Sequence, residues 1–116
     1  MKTEMLYLQG LNREITFYIG QCQAENFDVI DMGKPDDIWF HAADISSCHV
    51  IAHVPSELSN KELKYVIKAG AMLCKNHTKK LKNSNDIEIA YTKVKYIEKT
   101  QYSGCVKIIN EKKIKL

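Results

Sequence analysis

Two kinds of side chain alternate through Ile38-Trp39-Phe40-His41-Ala42 and again through His49-Val50-Ile51-Ala52-His53-Val54. Successive side chains on a strand point to opposite faces, so this pattern reads as two strands. Ile38, Phe40 and Ala42 fall on one face of the first, Trp39 and His41 on the other. Val50, Ala52 and Val54 share one face of the second; His49, Ile51 and His53 share the opposite one. The link Ala43 to Ser47 is short enough for a hairpin. Pairing Ala42 with Cys48 then sets His41 opposite His49 and Trp39 opposite Ile51. The expected result is one patch holding two imidazoles and the only Trp of the chain.

The second constraint is a helix. Ser59-Asn60-Lys61-Glu62 is a capping box, in which the Ser59 hydroxyl accepts from the Glu62 backbone N–H and the Glu62 carboxylate reaches back. The pattern predicts a helix from there to about His77 or Lys80, stopping before Asn83-Ser84-Asn85. Leu63, Val66, Ile67, Gly70, Leu73, Cys74 and His77 lie on its docking side. At about 100° per residue, Lys61, Lys64, Lys68, Lys75, Lys79 and Lys82 fall within an arc of roughly 60°, if the helix reaches that far. Lys61 to Lys79 would then span about 27 Å.

Around these elements, Met5 to Leu8 and Glu14 to Ile19 read as strands with a turn at 10–13. Gln21 to Lys34 reads as a connector with one helical turn at Glu25 to Ile30. Ile87 to Tyr96 alternates as a strand. Cys105 to Ile109 and Lys112 to Leu116 read as a terminal hairpin turning at Asn110-Glu111. The predicted class is α+β: a mainly antiparallel sheet of about six to seven strands with one long amphipathic helix packed on it. At 116 residues, residues 1–116 form a single domain with one modest core.

Charge is unevenly placed. The net charge is +3, but residues 1–57 hold three basic and nine acidic side chains, and residues 58–116 hold fourteen basic and five acidic. That split predicts one basic side of the fold. Apolar runs are too short to span a bilayer, so no membrane partner is expected. Met1 to Gly10 mixes Lys, Glu and Gln and has no secretory-signal pattern, so a cytosolic or nuclear chain is expected, with the cytoplasm as the predicted location. Cys22, Cys48, Cys74 and Cys105 are widely spaced and read as small buried hydrophobes in a reducing compartment. The Asn76-His77-Thr78 sequon is discounted because it falls inside the predicted helix.

The lysine row has two readings. One is an ordinary solvated face. The other is a polyanion site. A solvated helix face usually mixes signs, because opposite charges at helical spacing attract and like charges repel; here Glu62 is the one acid between Lys61 and Asn85. Phosphates would relieve that repulsion, and counterion release would drive the binding. Trp39 is either core packing or a stacking platform for a base. His41 and His49 either make structural hydrogen bonds, with Asp37 or Asp44 as partners, or face a substrate or phosphate. Metal binding with Cys48 or His53 is disfavoured because Cys48 and His49 point to opposite faces. Asp37 either holds the turn at 33–36 or orients His41. Tyr91, Tyr96 and Tyr102 interleave with Lys93, Lys95 and Lys99. That mixture suits single-stranded nucleic acid and an ordinary exposed sheet face equally. No nucleophile elbow, P-loop, paired-carboxylate or metal signature is present. Neither catalysis nor a cofactor or metal is therefore expected.

Asp37-Ile38-Trp39-Phe40-His41, then Ser47-Cys48-His49-Val50-Ile51, resembles the NFACT-R domain family. Gly20 with Glu25-Asn26, Ala90-Tyr91-Thr92, Val94-Lys95-Tyr96-Ile97 and Ser103-Gly104-Cys105-Val106 resemble further elements in the same order. The likeness covers roughly residues 12 to 116. Two departures stand out: Ser46-Ser47-Cys48-His49 replaces the usual Pro-Gly-Ser-His, and Ser103 replaces a Pro. The chain resembles the stand-alone members, without the larger members' N-terminal domain, helical motif and coiled coil. The resemblance implies RNA binding, with tRNA or ribosomal RNA as partner. It also implies a translation or ribosome-associated quality-control setting at the large ribosomal subunit. DNA stays open as a second polyanion. Asp37, Trp39, His41 and His49 carry over as family-typical residues of unassigned role. The reading of a different class is a protein–protein adaptor docking an acidic partner or a ribosomal protein.

Overall fold

The computed structural model describes residues 1–43, 45–102 and 105–116. Eight strands and two helices follow in the order β1 (Lys2–Leu8), β2 (Arg13–Gly20), α1 (Gln23–Asp31), β3 (Ile38–Ala42), β4 (His49–Ala52), α2 (Asn60–Asn76), β5 (Glu88–Lys93), β6 (Ile97–Lys99), β7 (Val106–Ile108) and β8 (Lys112–Lys115). Six strands form one sheet in the order β1-β2-β4-β3-β5-β8, and β6 and β7 form a separate pair. Every pairing is antiparallel. The α+β class and the antiparallel sheet stand, and the helix content is corrected: in place of one long helix there are two, on opposite faces of the sheet.

The alternation of the β3–β4 hairpin decides this layering. Ile38 pairs with Ala52, Trp39 with Ile51 and Phe40 with Val50, the register expected from the sequence. One sheet face carries Ile15, Phe17, Ile38, Phe40, Val50 and Ile89, and α2 seals it with Val66, Ala71, Leu73 and Cys74. The other face carries Trp39 and Ile51, covered by Val29 and Ile30 of α1 and by Ile97, Val106 and Ile108 of the β6–β7 pair. Phe40 sits so close to α2 that a Cβ on Gly70 would lie 2.3 Å from its ring. Gly20 meets α1 in the same way: a Cβ there would lie 2.8 Å from both Asn26 Oδ1 and the Glu25 carbonyl oxygen.

Besides α1, which runs over Gln23–Asp31 where a single helical turn was expected, three segments differ from expectation. The capping box forms as predicted, with Glu62 N–H to Ser59 Oγ at 3.2 Å and Ser59 N–H to Glu62 Oε1 at 3.1 Å. The helix ends earlier, at Asn76. Thr78 ties its last turn to β4, donating to the Cys74 carbonyl at 2.8 Å and accepting the Cys48 N–H at 3.2 Å. The strand expected over 87–96 breaks after Lys93 into a 3-10 turn at Val94–Tyr96. There Val94 N–H and Lys95 N–H donate to the carbonyls of Asp37 and Pro35, so the loop before β3 bends the chain away. The terminal hairpin does not form: β7 pairs with β6, and β8 pairs with β5. Asn110, at φ 55°, turns the chain between the two sheets, and the Thr92 hydroxyl donates to the carbonyls of Ile109 and Asn110.

Candidate nucleic-acid interface

The side of α2 opposite Val66, Gly70 and Leu73 is the lysine face. Lys61, Lys64 and Lys68 are exposed there, and Lys75 is half-buried. Over the observed helix the row spans about 21 Å from Lys61 to Lys75, at about 1.5 Å per residue. Lys79 and Lys82 are also exposed but lie in the turns beyond the helix. The six-lysine arc is therefore corrected to four helical lysines and two on the following turns.

Among the described residues, no carboxylate lies within ion-pair distance of any lysine from Lys61 to Lys82. Glu62 is occupied by its cap. Elsewhere six of the ten other cations have partners: Lys2 has Glu4, Arg13 has Glu57, Lys93 and Lys95 share Asp36, Lys99 has Asp31 and Lys115 has Asp86, while Lys34, Lys107, Lys112 and Lys113 have none among the described residues. The Lys95 and Lys93 ammonium groups hold the Asp36 carboxyl below the usual range, and Arg13 does the same for Glu57. Seven of the eleven cations without a partner among the described residues therefore lie on α2 and the turn after it.

Of the family-typical residues, Trp39, His41 and His49 lie on the opposite face of the sheet. Trp39 is completely buried, so its stacking-platform reading is replaced by a core role. Its Nε1–H donates to His49 Nδ1 at 3.1 Å. The His41 ring lies parallel to the indole at 5.6 Å between centroids, and His49 stands edge-on to both. Burial, and then the nearby His41, depress His49 to a pKa of about 3. Burial also lowers His41, against a smaller upward pull from the Ala42 backbone. Both rings are neutral near pH 7.

Asp37 serves neither imidazole of that cluster. Its Oδ2 accepts the Lys34 N–H at 2.8 Å and lies 3.1 Å from His53 Nδ1, and its Oδ1 accepts the Val54 N–H at 2.9 Å. It closes the turn before β3 and pins the end of β4, and His53 replaces His41 as its imidazole partner. Asp44, weighed as a histidine partner, and the Ser103-Gly104 motif lie outside the described residues. Tyr102 is exposed, whereas Tyr91 and Tyr96 are half-buried. Among the described residues no group of three His, Cys, Asp or Glu side chains is arranged to hold a metal.

Sequence reasoning passed over Asn26 and Thr78. Asn26 Oδ1 accepts the His49 N–H at 3.2 Å and so joins α1 to β4. Both are polar residues buried on otherwise ordinary segments, and only the pairing of Gly20 with Glu25-Asn26 hinted at the first.

The sequence profile described as the NFACT protein RNA binding domain matches residues 5–109. The chain is 36% identical over 86 residues to coiled-coil domain-containing protein 25 of Danio rerio, covering 73% of this chain and 42% of that protein. It is 30% identical over 114 residues to the homolog in Dictyostelium discoideum, covering 96% and 55%. It thus spans about half the length of these relatives. In three dimensions it is similar to the C-terminal part of the fibronectin/fibrinogen-binding protein from Streptococcus suis, with a TM-score of 0.79. That superposition covers 100% of this chain and 45% of the other, and 23% identity makes it a likeness of fold. The profile match and these relatives together place the chain in the NFACT RNA-binding domain family.

Proposed function

We propose that this chain is a non-catalytic RNA-binding module whose main contact surface is the lysine face of α2 and the turn that follows it. The observation that carries the reading is the absence, among the described residues, of any ion-paired lysine from Lys61 to Lys82, while most other cations of the fold have acids beside them. A row of like charges on one helix is a cost that phosphates remove, with condensed counterions released on binding. Lysine presents point charges rather than a planar fork, so this surface grips backbone and reads little sequence. Membership of the family supports RNA over DNA. The finer setting is tRNA or ribosomal RNA, in cytoplasmic translation or ribosome-associated quality control at the large subunit. An adaptor for an acidic protein is the second reading, because the same unpaired lysines complement carboxylates.

The test is a titration of labelled tRNA and an unrelated RNA duplex over a salt series. Wild type should lose affinity log-linearly with salt, with a slope of about −3 to −5 for four to six phosphate contacts. Lys64→Glu/Lys68→Glu/Lys75→Glu should weaken binding and flatten that slope by about 2 to 3. Equal binding by wild type and variant would falsify the surface. Absence of RNA binding beside tight binding to an acidic polypeptide would favour the adaptor.

A further inference from the structure

Trp39, His41 and His49 take no part in the lysine face, yet two depressions meet beside them. One, of about 390 Å3, is lined by Gln23, Asn26, His41, Ser46, Ser47 and His49 among others. The second, of about 420 Å3, shares Gln23, Asn26, Ser46 and Ser47 with it and ends at His77, Lys79 and Lys80. Together they form one groove that starts at two ammonium groups and finishes at two imidazoles. Each volume lies in the range of small-ligand sites.

The chemistry changes along that groove. Lys79 and Lys80 are exposed, with no carboxylate within ion-pair distance among the described residues. The middle offers the Gln23 and Asn26 amides and the Ser46 hydroxyl; the Ser47 hydroxyl already accepts from Ala42 N–H and donates to the Cys48 carbonyl. Asn26 uses Oδ1 on the His49 N–H, which leaves its NH2 group as a donor. At the far end, His49 Nδ1 accepts from Trp39, so the neutral ring carries its proton on Nε2 and donates from there. Trp39 lies parallel to the His41 ring, and a planar group entering the groove would extend that stack. Glu111 is the acid at the far end. A phosphate there would meet a carboxylate and no cation, and a purely apolar ligand would leave donors unmet. A planar heterocycle with donors and acceptors on its edge satisfies both demands.

We propose that this groove receives one unpaired nucleotide of a single-stranded segment, its phosphate at Lys79 and Lys80 and its base against His41 and His49. The proposal rests on the RNA-binding reading and deepens it. It gives Lys79 a role away from the helix row and accounts for the family-typical imidazoles as a base pocket.

The experiment uses the full chain and two labelled RNA 12-mers with equal phosphate count, one with all its bases and one abasic throughout. Wild type should prefer the base-bearing strand by about tenfold, the scale of one or two net hydrogen bonds. His41→Leu, and separately Ser46→Tyr at an exposed loop position, should erase that preference while leaving the salt slope intact. Thermal melting confirms that each variant folds, and Ser46→Tyr keeps the test valid if His41→Leu does not. The lysine triple variant should weaken both strands together and keep their ratio. Equal affinity of wild type for the two strands, or a preference that survives both groove variants, overturns the groove while the RNA-binding reading stands. No salt-dependent binding of either strand overturns both. A free nucleoside monophosphate that changes Trp39 emission when the 12-mer does not would assign the groove to small nucleotides and overturn the strand proposal.

Discussion

The indole Nε1–H of Trp39 donates to Nδ1 of His49 at 3.1 Å, across two strands and ten residues of sequence. The indole is fully buried and the imidazole 2% exposed. That bond requires a neutral imidazole, and burial enforces one by lowering His49 from its ordinary 6.5 to about 3. The sign of the linkage follows. Below pH 6.5 the unfolded chain binds a proton that the folded chain refuses, so stability falls as pH drops from about 6.5 toward 3. At pH 5 the loss from His49 alone is about 2 kcal/mol. Urea unfolding at pH 7 and pH 5 should show it, and His49→Gln should flatten the dependence. His41, also lowered by burial, adds in the same direction.

Gly70 brings α2 close against the sheet, over the ring of Phe40. In an exposed helix position Gly→Ala would stabilise by about 1 kcal/mol. Here the added methyl would enter a buried ring, and overpacking costs about 1–3 kcal/mol. Gly70→Ala is expected to lower stability by up to about 2 kcal/mol net. Phe40→Leu in the same chain should recover part of that loss, and a double-mutant cycle measured by urea unfolding should give a coupling well above zero.

The Asp37 carboxylate accepts two backbone N–H groups, from Lys34 and Val54, and meets His53. Asp37→Ala strands both donors in a nearly sealed site and should cost about 2–4 kcal/mol. Asp37→Asn retains one acceptor oxygen and should cost less. Because Val94 N–H bonds to the Asp37 carbonyl, loosening this turn should also raise amide exchange at Val94 and Lys95.

Thiol reactivity should divide the cysteines by location. The expectation of four buried thiols is corrected to two: Cys22 and Cys105 are exposed, whereas Cys48 and Cys74 are buried between β4 and α2. Cys48 Sγ donates to the Cys74 carbonyl at 3.4 Å, and Cys74 Sγ donates back to the Cys48 carbonyl at 3.5 Å. The Cys48 contact and burial push the Cys74 thiol well up, which keeps it protonated and inert. A maleimide titration of the native chain should label two thiols quickly, and all four only in denaturant. Fast labelling of four in the native state would contradict this packing.

The hairpin of β3 and β4 was legible down to its register because side-chain direction on a strand has period two, and a slip of one residue would exchange Phe40 with Trp39 between faces. The start of α2 was legible for a similar reason: a capping box is satisfied within four residues. Its end was not. Nothing near Thr78 says that its hydroxyl will meet the Cys48 N–H, thirty residues away in sequence. The lysine row was visible as an arc, but how far it continues depended on that stop. His41 and His49 were visible as neighbours, yet the depression beside them also needs Asn26 from α1 and Ile108 from β7.

Local pattern therefore determined the class of fold, the central register, the lysine-bearing side of α2 and the family. The register and the lysine side are written in spacings shorter than one element, and the class and the family in the order of such elements along the chain. Tertiary structure alone decided which strand β7 joins, that Asp37 meets His53 rather than His41, that Trp39 is sealed, and that the imidazoles open into a groove shared with Lys79 and Lys80. Those outcomes depend on contacts between segments far apart in the chain. Such contacts form where buried polar groups find partners and apolar faces find cover, and no single segment carries that information.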